Sequence, residues 1–151
     1  KGKSYRTIGS ENRDYFAYGK EILSPENGII TEVINGVREN KPGSLNPYSG
    51  LGNAVVIKHA RNKFSVIAHL QTNSIKVRPG QKIKVGQLLG LCGNSGNSSE
   101  PPLHYHLQDN PVIQDGVGVK IYFKNIEIER SGQIIREERS SPIKSDFVRQ
   151  F

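Results

Sequence analysis

Apolar residues in this chain recur at alternate positions in short runs, and helical spacing is almost absent. Each run is bounded by Gly, Pro, Asn or Ser. The pattern predicts strands over Gly28–Val37, Asn53–His59, Phe64–Leu70, Lys82–Leu91, Leu103–Asp109 and Val119–Glu129. A Ser131-Gly132 turn then leads into Gln133–Arg136. Residues 38–52, RENKPGSLNPYSGLG, carry a turn former at nearly every second place and read as a long surface loop. SPENGIITEVINGV (24–37) and VRPGQKIKVGQLLGLCG (77–93) each set a glycine turn against alternating apolar residues. The predicted class is all-β, with antiparallel sheets in a barrel-sandwich hybrid.

With 151 residues the chain suits one domain. A domain of that size buries about 68–70% of the surface its unfolded chain exposes, so it needs no disulfide or metal to fold. No apolar run is long enough for a membrane span or a signal peptide. Methionine is absent and Cys92 is the one cysteine. The first feature, with Lys at position 1, is read as a processed or cut chain with something missing upstream; the second excludes an internal disulfide. Lipoyl and biotinyl domains share the second glycine phrase, but they need an acceptor lysine in a recognisable hairpin tip that is not found here.

The net charge is +7, and its excess is central: residues 40–99 hold eight basic groups and no acidic one. Such a stretch suits a solvated sheet face, or an anionic partner such as an acidic wall polymer. Only Phe64 interleaves with these cations, which argues against nucleic acid.

The candidate chemistry lies with four histidines. In LHYHLQ, His104 and His106 stand at i and i+2, so on a strand their imidazoles share one face, a spacing that suits zinc; Tyr105 faces the core. His69 ends the apolar run FSVIA. Cys92 reads as a small buried hydrophobe. The Asn94–Ser99 turn precedes a strand, so it offers no helix-terminus anion site.

Taken together, YGKEILSPENGIITEV (18–33), GNAVVIKHA (52–60), His69-Leu70, the Gly80–Gly90 corner, the Gly93–Ser99 turn and LHYHLQ resemble the M23, or lysostaphin-like, zinc metallo-endopeptidases. The resemblance covers about residues 12–110. It makes 1–151 a single M23-like domain lacking its N-terminal part, with 111–151 a C-terminal hairpin and tail. It implies one zinc ion, held by an early His and Asp and by a late histidine, activating water to cleave peptidoglycan peptide bonds. His104 is the implied zinc ligand and His69 the transition-state stabiliser. His106 or Asp14 are further candidate ligands, His106 also a substitute base, and Tyr15, Tyr18 and Asn94 candidate groove residues.

The chain departs from the family pattern in two places. Pro102 stands where the first histidine of H-x-H belongs, usually the general base, and proline has no ionisable group. His106 lies about 13 Å further along a strand. The early H-x-x-x-D is also missing: a histidine four before Asp14 would fall at Ser10. NRDYFAYGKEILSP resembles a branch with those ligands further upstream, before an insertion, and in that register Asp14 is a turn residue. The domain is therefore read as inactive or impaired as given. The alternative is a non-catalytic cell-wall binding or hydrolase-activating module, and a weaker one is a sugar-phosphotransferase carrier with His69 and His104 as its histidine pair. An extracytoplasmic location follows from the family alone.

Overall fold

The computed structural model describes residues 3–143 and 146–150. It is built from antiparallel strands, with single 3-10 turns at Asn12–Asp14 and Ile113–Asp115 and no α-helix among the described residues. No helix there is long and apolar enough to cross a membrane. The chain divides into two compact units, Lys1–Gly118 and Val119–Phe151.

In the first unit the strands are β1 (Glu21–Leu23), β2 (Gly28–Ile34), β3 (Asn53–Ala60), β4 (Lys63–Leu70), β5 (Lys82–Ile83), β6 (Leu88–Leu91) and β7 (His104–Gln108). Five form an open sheet in the order β5-β2-β3-β4-β7, and β1 pairs with β6 in a separate ribbon. The pleat sends alternate residues to opposite sides. Ile30, Val55, Ile57 and Ile67 face inward and meet Ile22 of β1 and Leu89 of β6 in the main core. Tyr105 packs against this core, as its place opposite the histidines requires.

The other side of the sheet carries the intervening residues. Residues directly paired on antiparallel strands point to the same side. The pairs Glu32↔Val56, Val56↔Val66 and Val66↔His106 make one row, and Lys82↔Ile29, Ile29↔Lys58, Lys58↔Phe64 and Phe64↔Gln108 make the next. Val56, Phe64 and Val66 are buried there under Leu51 and Ile113. The long loop and the segment after β7 thus roof the middle of this face and leave both its ends open.

The predicted strand Lys82–Leu91 is two strands, because a turn intervenes: Gln87 N–H donates to Lys84 O at 3.1 Å and Gly86 has φ +77°. Strand β1 is too short to show an alternating pattern.

The second unit is a three-stranded antiparallel sheet, with β8 (Phe123–Arg130) between β9 (Gln133–Ser140) and β10 (Phe147–Gln150). The expected hairpin is β8–β9, and the tail adds β10. Glu127 is buried between the guanidiniums of Arg136 and Arg149. Arg130 holds Asp146 through two bonds, Nε to Oδ1 at 2.8 Å and Nη2 to Oδ2 at 2.7 Å. That pairing keeps the Asp146 carboxyl down at about 2.

Candidate functional site

His69, the last residue but one of β4, is in a left-handed conformation, φ +62°, costly for a residue with a side chain. The backbone secures it on both sides: His69 N–H donates to Leu51 O at 3.0 Å, and Gly93 N–H donates to His69 O at 3.0 Å. The ring is buried, and its Nδ1 lies 2.8 Å from Ser95 O. A carbonyl only accepts, so Nδ1 carries the proton and, in the neutral ring, Nε2 holds the lone pair.

Ser95 is itself fixed by the interior. Its hydroxyl donates to Leu70 O at 2.8 Å and accepts from Asn53 N–H at 2.9 Å. The Asn53 side chain is fully buried and bonds Val37 N–H, Val37 O and Leu70 O. Gly52, φ +61°, lies so close that a Cβ there would meet the Ser95 carbonyl at 2.4 Å. The site therefore rests on an interior polar lattice joining β3, β4 and the Gly93–Ser99 turn.

Strand β7 supplies the other two rings. Ala68↔His104 pairing sets His104 beside the end of β4, with its ring centroid 5.6 Å from that of His69 and the planes at 80°. His106 follows on the same face, its Nδ1 2.8 Å from His104 Nε2. His106 Nε2 lies 2.8 Å from Gln108 Oε1, and Gln108 Nε2 donates to Asn110 O and Val112 O. Those two carbonyls fix the amide orientation. Oε1 is then the acceptor, His106 Nε2 the donor and His106 Nδ1 the acceptor from His104 Nε2–H. Water lost around the His104 ring, followed by the charges His106 and His69 would carry, lowers its pKa below the usual histidine value.

The remaining expected site residues lie elsewhere. The Asp14 carboxylate is turned into its own 3-10 turn, where Oδ2 accepts from Glu11 N–H at 3.1 Å. Its pKa is lowered chiefly by that bond. Tyr15 and Asn94, expected in a groove, are buried: Tyr15 donates to Gly9 O, and Asn94 N–H donates to Glu39 Oε1. Tyr18 donates to Glu39 Oε2 at 2.5 Å, and its phenol is pushed up to about 12 by burial and by that carboxylate. His59 spends both ring nitrogens on Asn27 O and Ser65 Oγ. The Cys92 thiol is buried and pushed up to about 11, as befits a packing residue.

An open groove of about 760 Å³ lies on the same side of the sheet, lined by Glu32 and Ile34 of β2 and by Leu51, Gly52, Val112 and Ile113, and none of the three histidines lines it. Sequence reasoning missed it because its walls come from two loops far apart in the chain.

A zinc site needs three protein ligands and an open position. Three imidazoles are gathered here without a carboxylate, and two of them are bonded to each other ring to ring. Among the described residues no group of three or more His, Cys, Asp or Glu is placed to hold a metal ion. These residues, as arranged, do not fit the ion.

The site is thus an open antiparallel sheet with His69 near the end of β4 and His104 and His106 on its neighbour β7. The model of peptidase family M23 matches residues 13–116, and the chain belongs to that family. It is 44% identical over 89 residues to the peptidoglycan DD-endopeptidase ShyA of Vibrio cholerae, covering 59% of this chain and 17% of that protein. It is 36% identical over 97 residues to the cell division protein DipM of Caulobacter vibrioides, covering 64% of this chain and 14% of that one. The chain thus spans less than a fifth of either relative. Among solved structures, the catalytic domain of the prophage-encoded M23 protein EnpA from Enterococcus faecalis superposes with a TM-score of 0.52 at 26% identity, over 78% of this chain and 85% of that one. A zinc-containing peptidase from Vibrio cholerae gives 0.51 at 25% identity, over 67% and 26%. The domain is an M23 peptidase domain related to peptidoglycan endopeptidases.

Proposed function

We propose that this domain engages peptidoglycan peptides along the histidine side of its sheet and that its own residues leave cleavage impaired. The reading is carried by Pro102. It stands two residues before His104, where the family resemblance sets the general base, and its only polar group, the carbonyl, accepts from Cys92 Sγ at 3.2 Å. Proline can neither take nor give a proton there. His106 does not replace it, since its Nε2 is committed to Gln108 and its Nδ1 to His104.

The family resemblance assigns His104 a ligand's role and His69 a transition-state stabiliser's, but the set around them is incomplete. Ser95 O holds the Nδ1–H of His69, which leaves Nε2 to face a substrate. The homologues' cell-wall substrates support an extracytoplasmic setting and a wall partner.

Zinc content tests the reading. The purified 151-residue chain, dialysed against micromolar zinc, is expected to retain well under one ion per chain, and His104→Ala to change that little. Close to one zinc per chain, lost in His104→Ala, would show that the site is complete and would overturn the impaired reading.

A further inference from the structure

Beyond the histidines, the same face of the sheet ends in a basic corner. We propose that this corner is a docking site for the phosphodiester-linked anionic polymer of a cell wall. Lys58 and Lys82 flank Ile29 in one cross-strand row, because Ile29 pairs with both. Their Cα atoms are two strand spacings, about 10 Å, apart. Lys84 follows Lys82 by two residues, and Arg61 sits in the β3–β4 turn. These four cations line a groove of about 500 Å³ that no acidic residue lines. None of the four is in an ion pair among the described residues. Glu26 is paired with Lys63 at 2.7 Å.

The floor is built rather than incidental. A Cβ at Gly28 would meet Ile57 Cγ2 and Lys58 O at 2.7 Å, so glycine lets the two strands close up beneath the cations. His59 Nδ1–H donates to Asn27 O at 2.8 Å, and Val85 N–H donates to Asn27 Oδ1 at 2.8 Å, which fixes the rim. Between the lysines Ile29 is 41% exposed. Alternating cations and an apolar strip suit a chain that alternates phosphates with polyol or sugar carbon. Nucleic acid is the poorer match, because no aromatic side chain lines the groove to stack a base.

The corner begins at Lys58 on β3, two strand spacings or about 10 Å from β7, and ends at Lys82 on β5, four spacings or about 19 Å away. A wall polymer held there would keep the sheet against the wall while a stem peptide lies along the histidine side. The proposal rests on the cell-wall reading above and adds a ligand class and a site to it.

The test compares the 151-residue chain with a K58Q/K82Q/K84Q variant and a K20Q/K41Q/K76Q control of equal charge, each checked for an unchanged melting curve. Binding is measured to purified polyol-phosphate polymer, to single-stranded DNA of matched charge, and by sedimentation with intact walls and walls stripped of phosphodiesters by acid. The corner variant is expected to bind the polymer roughly tenfold or more weakly, and the control within about twofold of the parent. Raising salt from about 50 to 200 mM should weaken the parent on intact walls. Equal loss in both variants, tighter binding to DNA than to polymer, or undiminished binding to stripped walls would overturn the proposal. Retention on stripped walls leaves the peptidoglycan reading standing; failure to bind either wall defeats both.

Discussion

Asn53→Ala is expected to lower the stability of the domain by about 2–4 kcal/mol, read as the shift in a urea or thermal unfolding midpoint. The side chain is fully buried, and its three bonds reach Val37 N–H at 2.8 Å, Val37 O at 2.8 Å and Leu70 O at 3.0 Å. Alanine takes the partner from Val37 N–H, while Val37 O keeps Thr72 Oγ1 at 2.6 Å and Leu70 O keeps Ser95 Oγ at 2.8 Å, and it opens a void in the interior; both terms act in the same direction. Alanine keeps the backbone N–H that fixes the Ser95 hydroxyl, so the damage reaches His69, which Ser95 O orients, only through movement of the start of β3. A loss below about 1 kcal/mol would mean that the lattice is not what holds the histidine edge.

The second large effect is expected at Gly52. Its φ of +61° is unfavourable for alanine, and the new Cβ would meet Ser95 carbonyl carbon and oxygen at 2.4 Å. Neither neighbour is the tip of a flexible side chain, so the backbone itself must move. Gly52→Ala should cost about 2–4 kcal/mol and shift the His69 ring resonances in an NMR spectrum. Gly50→Ala, where a Cβ meets nothing within 4 Å, is the control and should be close to neutral. Similar losses at both positions would show that the close approach to Ser95 is not the cause.

Strands β3 and β4 were legible as short apolar runs, AVVI and FSVIA, bounded by turn formers, because both faces of the sheet are covered there, and β7 by the polar-apolar exchange of LHYHLQ. Once those strands are paired, the i and i+2 spacing of His104 and His106 dictates a shared face. The family was legible for the same reason: its phrases are glycine corners and strand ends, which local chemistry enforces. The bonds that decide what the histidines can do were not legible. The orientation of His106 depends on Gln108, whose amide is fixed by Asn110 O and Val112 O in the turn that follows. Tyr15 and Asn94, candidate groove residues by sequence, are buried. Their interior places depend on partners, Gly9 O and Glu39, that only the tertiary fold supplies. The basic corner shows the same limit. Sequence revealed a run of eight cations, but strand pairing decided which of them share a groove.

We propose that this M23 domain carries the family's scaffold with its cleavage chemistry impaired. Release of soluble peptide from cross-linked peptidoglycan by the 151-residue chain, with zinc and with a chelator and beside a fully equipped M23 hydrolase, tests this. Binding to the substrate with release at the blank level in both conditions is the expected result. Zinc-dependent release that the chelator abolishes, at a rate near that of the reference hydrolase, would contradict it.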